Sequence, residues 1–154
     1  MVQQPYPVAV RPVLERVERM LTMVAQEKGV TISGAADEDA VALATDDDVH
    51  QILYNLMENA IKYSAAEGGF VRAEAHVDGD KVVLTVSDNG IGIPNEDLPH
   101  IFDRFYRVDK ARSRQAGGSG LGLSIVHDMV LRNDSTISVA PRPEGGTCFT
   151  VVFP

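Results

Sequence analysis

Residues 81–93 read KVVLTVSDNGIGI, and this stretch decides the fold class. Residues 81–88 read as a strand rich in β-branched residues. Asp88 ends it, and Asn89-Gly90 is a common turn pair. Just upstream, FVRAEAHV (70–77) reads as a second strand, and Asp78-Gly79-Asp80 joins the two as a hairpin signal. Gly90 and Gly92 would let the backbone approach a ligand closely.

On the N-terminal side, Asp46 can cap a helix running to about Ser64. Its buried stripe would be Val49, Ile52, Leu53, Leu56, Met57 and Ala60. Val13, Val17, Met20, Leu21 and Val24 predict an earlier helix over about 11–28, ending at Gly29. Residues 30–33 and 40–45 read as short strands around an acidic turn. Residues 1–10 read as an extended entry segment.

On the C-terminal side, Asn89 to about Ser119 is irregular, with a short helix expected near 95–102. An irregular stretch of about 30 residues inside a compact domain tends to be functional. Gly120–Arg132 reads as a third helix, with Leu121, Ile125, Val126, Met129 and Val130 on one side. Residues 135–140 and 147–153 read as two final strands. The expected fold is one α/β domain over 11–154: a mixed sheet covered on one face by three helices.

The chain has 154 residues, 44% hydrophobic, with a net charge of −8. That size fits one domain, and the charge argues against a general nucleic-acid binder. No apolar run reaches the ~18 residues of a spanning helix, and residues 1–17 show neither the charged start nor the continuous apolar stretch expected of a secretion signal. Arg104, Arg107, Lys110, Arg112 and Arg114 crowd one segment, which suggests either a local anion site or a solvated loop. The single cysteine, Cys148, is expected to pack as a small core residue. The four histidines show no metal-ligand spacing and read as structural or solvent-facing.

Four stretches carry chemistry. On the helix 46–64, Asn55, Asn59 and Lys62 share a second face. Two amides and an ammonium there suit an oxygen ligand for Mg²⁺ and a cation for phosphate, although exposed Asn in helices is not rare. Asp88 could accept hydrogen bonds from a base, favouring adenine's 6-amino group over guanine's 6-oxygen. GGSGLGLSI (117–125) runs glycines into a helix start, an anion site without the Gly-Lys-Ser/Thr of a Walker loop. EGGTCF (144–149) is a turn into the last strand.

In this order the stretches resemble the ATP-binding domain of sensor histidine kinases. NLMENAIKYS (55–64) is similar to the family's N box, DNGIGI (88–93) to its G1 box and IFDRFYRVD (101–109) to its F box. GGSGLGLSI is similar to the G2 box, and GGTCF (145–149) to the last glycine box. The resemblance implies the two-layer α/β sandwich shared with type II topoisomerases, Hsp90 chaperones and MutL proteins. It implies ATP and Mg²⁺ as cofactors. Asp88 would bind the adenine amino group, with Gly92 beside the base and Gly90, Ile93 and Thr147 in the same nucleotide site. Asn59 would coordinate Mg²⁺ with Asn55 next to it. Lys62 and Tyr63 would contact phosphate and the sugar-base side. Residues 94–119 would form an ATP lid anchored by Phe102 and Phe105. Arg107 and Arg112 would reach the γ-phosphate, and Gly118, Gly120, Leu121 and Gly122 would hold phosphates through main-chain amides.

The implied reaction is phosphoryl transfer from ATP to a histidine. ATPase relatives place a general-base Glu four residues before the Mg²⁺-binding Asn, where this chain has Asn55. An amide takes no proton at neutral pH, which favours a kinase over a hydrolase. None of His50, His76, His100 or His127 stands in the phosphoacceptor motif of the family. The acceptor is therefore expected on a separate helical-hairpin dimerisation domain. On this reading the chain is a monomeric fragment of a homodimeric parent, and it serves a response regulator indirectly. It would lie in the cytoplasm, without nucleic-acid or direct membrane contact, beneath a membrane-bound parent. The alternatives are a nucleotide-binding or docking module without transferase activity, or an ATPase of the same superfamily.

Overall fold

The computed structural model describes residues 4–64, 67–104 and 122–154. Among these described residues, seven strands and three α-helices follow the order β1 (Tyr6–Ala9), α1 (Val10–Glu27), β2 (Thr31–Ala36), β3 (Val41–Ala44), α2 (Asp46–Lys62), β4 (Phe70–Asp78), β5 (Lys81–Asp88), α3 (Gly122–Arg132), β6 (Thr136–Pro141) and β7 (Thr147–Phe153). The mixed sheet expected from sequence is present, with order β2-β4-β5-β7-β6. The β2–β4 pair is parallel and the other pairs are antiparallel.

One face of the sheet is apolar. Val71, Ala73 and Ala75 of β4, Val82, Leu84 and Val86 of β5, and Phe149, Val151 and Phe153 of β7 are all buried. Their period of two puts every one on the same side. The helices supply the other half of this core through Val13, Leu14, Val17 and Leu21 of α1, Ile52, Leu53, Leu56 and Met57 of α2, and Val126 and Val130 of α3.

Several sequence expectations change at the level of single residues. Residues 6–9 are not merely an entry segment. They form β1, which pairs antiparallel with β3 in a separate two-stranded ribbon, with Val8 opposite Ala42. Pro7 is tolerated because such a ribbon exposes strand edges. The strand expected over 40–45 therefore leaves the main sheet. Met20 and Val24 are 53% and 41% exposed. Val10, Val13, Leu14, Val17, Leu21 and Ala25 define the buried stripe of α1. Met20 and Val24 each stand one position, about 100°, off it. Ile125 is likewise exposed on α3. Cys148 is not a core residue. Phe149 takes the inward slot, so Cys148 faces the open side, where the Ser87 hydroxyl donates to its sulfur at 3.3 Å.

The helix ends explain how α2 is held. Its cap is Thr45, one residue before the expected Asp46, and the Thr45 hydroxyl accepts from the Asp48 N–H at 3.2 Å. Asp46, Asp47 and Asp48 fill the first turn, where negative charge complements the helix dipole. Asp48 also reaches across to the end of α3. Arg132 Nε donates to its Oδ2 at 2.8 Å, Arg132 Nη2 to its Oδ1, and Asn133 Nδ2 to Oδ2 at 2.7 Å. The Arg132 hydrogen bond holds the Asp48 carboxyl below its ordinary range, against the opposing effect of burial. This corner ties the start of α2 to the end of α3. At the other end of α2, Lys28 Nζ donates to the Lys62 carbonyl at 3.0 Å.

Candidate functional site

The site grows from the end of β5. Val82, Leu84 and Val86 face the helices, so the same alternation turns Asp88 inward, where it is 6% exposed. A buried carboxylate needs donors. The Gly90 N–H donates to its Oδ1 at 2.8 Å, and the Thr147 N–H also bonds the carboxyl. Burial pushes the Asp88 carboxyl up, while those two N–H groups and the charge of Arg142 pull it down. A carboxylate offers about four lone-pair positions, so this one can take a further donor from a ligand.

Glycines shape the walls. A Cβ on Gly90 would lie 2.0 Å from the Tyr63 carbonyl oxygen, and one on Gly146 would lie 2.0 Å from the Asp88 carbonyl oxygen. Neither position has room for a side chain. Gly146 also has φ +97 and Gly92 φ +75, in the region that favours glycine. The Ile91 N–H donates to the Tyr63 carbonyl at 3.2 Å. These contacts bring the C-terminal end of α2, the loop after β5 and the turn before β7 together. Tyr63, Asp88, Gly90, Gly92 and Thr147, drawn from three separate stretches of the sequence, thus form one cluster. Ile93 packs half-buried against the core.

Asn55, Asn59 and Lys62 lie half-buried on the helix that ends at this cluster. Lys62 Nζ stands 3.6 Å from Glu58 Oε1. Burial, and then a hydrogen bond with Glu58, push the Tyr54 phenol up. Glu58 is therefore shared between Tyr54 and Lys62, which does not suit it to act as a free base. Gly122 is the first residue of α3. Arg107, Arg112, Phe105, Gly118, Gly120 and Leu121 lie outside the described residues. Phe102 is described: its ring stacks on His127 of α3 at 5.3 Å and meets Phe149 of β7 edge-on at 6.3 Å. The helix expected near 95–102 is a single 3-10 turn, Leu98–His100.

Two residues that sequence reasoning did not single out also build the site. Asn89 accepts from the Phe70 N–H and donates to the Gly68 carbonyl, both at 2.9 Å, fastening the loop to the start of β4. Gly146 was visible as half of a Gly-Gly pair, a turn signal that says nothing of what the backbone must approach.

The described residues contain no helix long and apolar enough to cross a membrane. Residues 44–154 match the family model described as histidine kinase-, DNA gyrase B-, and HSP90-like ATPase. The chain is 42% identical over 125 residues to the sensor histidine kinase WalK of Bacillus subtilis, covering 80% of this chain and 20% of WalK. The catalytic domain of histidine kinase ThkA superposes with a TM-score of 0.85 at 23% identity, covering 99% of this chain and 96% of that domain. Full-length ShkA in complex with AMPPNP superposes with a TM-score of 0.83 at 29% identity, covering 100% of this chain and 32% of that one. The chain spans 25% and 20% of the first two curated relatives it matches. With its two-layer fold and its buried carboxylate among glycines, the chain belongs to the family of histidine kinase-, DNA gyrase B- and HSP90-like ATPases.

Proposed function

We propose that this domain binds Mg-ATP and presents its γ-phosphate to a histidine on a helical-hairpin domain of the same parent kinase. The observation that carries the reading is the Asp88 carboxylate, buried at a strand end between glycines that admit no Cβ. A ligand whose flat edge offers an amino hydrogen fits such a slot, and adenine has one. The AMPPNP in the similar ShkA structure supports an ATP-type ligand.

In this reading Asp88 accepts from the adenine amino group, and Gly90, Gly92, Ile93 and Thr147 line the base. Tyr63 lies toward the sugar. The amide oxygens of Asn59 and Asn55 would hold Mg²⁺. That neutral pair fits, because Mg²⁺ keeps several waters and takes other oxygens from phosphates, needing few protein ligands. The bound ion would neutralise phosphate charge. Lys62 leaves Glu58 for phosphate oxygen, a stronger anion. The helix start at Gly122 adds main-chain N–H groups, with Gly118, Gly120 and Leu121 before it. Arg107 and Arg112 approach the γ-phosphate. Catalysis is then mostly positioning and charge neutralisation. We place the fragment as a monomer over 11–154 with a lid over about 94–119, within a homodimeric, membrane-bound parent. The domain faces the cytoplasm there and serves a response regulator indirectly.

The competing ATPase reading requires a base that can reach water. Asn55 cannot act as one, and Glu58 is engaged by Tyr54 and Lys62. The test is incubation of this chain with γ-labelled ATP and candidate helical-hairpin domains. Acid-labile phosphohistidine on the hairpin supports the proposal. Steady hydrolysis near ~1 s⁻¹ without transfer would overturn it.

A further inference from the structure

The turn between β6 and β7 is built around a cation. Arg142 opens it, and its side chain is 19% exposed. A single nitrogen, Nη1, donates to the Asp88 carbonyl at 3.2 Å and to the Gly145 carbonyl at 3.0 Å. Nη2 lies 3.4 Å from Glu144 Oε2. The guanidinium carbon sits 5.0 Å from the centroid of the Phe70 ring, and that of Arg72 sits 5.2 Å from the same ring. The main chain of Arg142 closes the turn as well. Its N–H donates to the Gly146 carbonyl and its carbonyl accepts from the Gly145 N–H, both at 3.0 Å.

The oxygen that Arg142 holds is the one Gly146 must approach. A Cβ at Gly146 would collide with the Asp88 carbonyl, so close approach there is a demand of the fold. Arg142 supplies the attraction that maintains it. Fixing this carbonyl fixes the peptide that leads from Asp88 through Asn89 to Gly90. The Gly90 N–H in turn orients the Asp88 carboxylate. The chain of contacts therefore runs from a surface turn to the carboxyl oxygens.

We propose that Arg142 is a positioning residue for nucleotide binding, aiming the Asp88 carboxylate by clamping the Asp88 carbonyl to the Gly145–Gly146 turn. Its positive charge also favours the ionised carboxyl, the form that only accepts hydrogen bonds. The inference rests on the reading of Asp88 as the adenine acceptor.

The test compares Mg-ADP affinity by calorimetry for the parent, Arg142→Met, Arg142→Lys and Asp88→Ala. Methionine keeps the unbranched stem, ends two bonds short of Nη1 and donates nothing. Lysine ends one bond short of Nη1 but keeps an ammonium that a small shift of the stem brings to both carbonyls. Arg142→Met is expected to weaken ADP about 10-fold, the loss of a charged donor pair. Arg142→Lys is expected to remain within about threefold of the parent. Melting without nucleotide checks that each variant folds. If Arg142→Met does not fold, Arg142→Leu, which also donates nothing, carries the same expectation. A role in packing alone would leave the methionine variant like the parent, and that result overturns the proposal. So does a lysine variant that binds no better than the methionine one. The two readings fail separately. Normal binding by Asp88→Ala removes the adenine assignment itself. Lost binding in Asp88→Ala beside normal binding in Arg142→Met removes only the clamp.

Discussion

Replacing Asp88 by Asn separates what the carboxylate does for binding from what it does for folding. The two side chains have nearly the same shape. The Asn oxygen can still accept the Gly90 N–H that bonds Oδ1 at 2.8 Å. Burial raises the Asp88 pKa in the folded state. A group raised in this way contributes its stability below its unfolded pKa, near ~3.9, and loses it as pH rises through the folded pKa. At neutral pH the buried charge is therefore a cost, and Asp88→Asn removes it. The variant without ligand should melt no lower than the parent at pH 7. The parent should gain on the variant as pH falls into the carboxylate range. Binding should move the other way. An adenine amino group meets a neutral oxygen and a competing NH₂ donor, so a charge-assisted bond worth about 1.5–3 kcal/mol is lost. That corresponds to roughly 10–100-fold in Kd. Mg-ADP at about 100 times the parent Kd stabilises by about 2.7 kcal/mol, or roughly 5–10 °C for a domain of this size. A 30-fold weaker variant would retain only about 0.9 kcal/mol at that concentration, some 2–3 °C. Thermal shift with and without Mg-ADP, at pH 5 and pH 7, reads all of this. A full ligand shift in Asp88→Asn would refute the base assignment. A ligand-free melting point more than about 5 °C below the parent would show that the carboxylate is structural.

Three further outcomes are expected, two from the geometry at Asp48 and Gly146 and one from the proposed role of Arg107. Asp48→Ala removes the acceptor of Arg132 and one of the two acceptors of the Asn133 amide, which keeps the Met129 carbonyl; with Arg132 half-exposed, it should cost about 1–3 kcal/mol in chemical denaturation. Because the Asp48 carboxyl is held low, this contribution is present above the ordinary carboxylate pKa. It should fade as pH falls through the lowered value, so a parent-to-variant gap that is constant down to strong acid would contradict it. Gly146→Ala puts a Cβ where the Asp88 carbonyl stands, 2.0 Å away at φ +97. It should destabilise by about 2 kcal/mol or more and abolish the ADP thermal shift, and a soluble variant with parental ADP affinity would contradict the close-approach account. Arg107→Ala should leave ADP affinity unchanged in calorimetry and slow transfer to the hairpin histidine; equal loss of ADP affinity would exclude a γ-phosphate role.

The elements and the sheet face were legible because both depend on local periodicity. The alternation of β5 and the 3.6-residue stripe of α2 each bury one side wherever the chain lies. The same logic placed Asp88 at a strand end and Asn55, Asn59 and Lys62 on one helix face. The partner of a strand is a different matter. Nothing in Val41–Ala44 says that its neighbour will be Tyr6–Ala9 rather than the main sheet, since β3 has the same alternating pattern in either place. Cys148 shows the related ambiguity of phase. TCFTVVF alternates, but whether its odd or even positions face the helices is decided by the bulk of Phe149 and Phe153 filling the core.

The glycines and the charged corners were the hardest to read, for a physical reason. A glycine's requirement is set by what comes near it, and at Gly146 that is a carbonyl far earlier in the chain, at Asp88. Asp48 is one of three acidic residues in the first turn of α2, and only the Arg132 and Asn133 that face it give it a distinct role. Asn89 looked like the first half of a turn pair, yet its side chain closes a gap back to Gly68 and Phe70. In each case a residue type common in turns or caps acquires its function from a segment distant in sequence. The proposed adenine site is therefore not contained in any one box. Asp88 supplies the acceptor, but its direction depends on Gly90, Gly146, Thr147 and Arg142 closing around it from two other parts of the chain. A substitution in the β6–β7 turn should thus be felt at the base before it is felt at the phosphates.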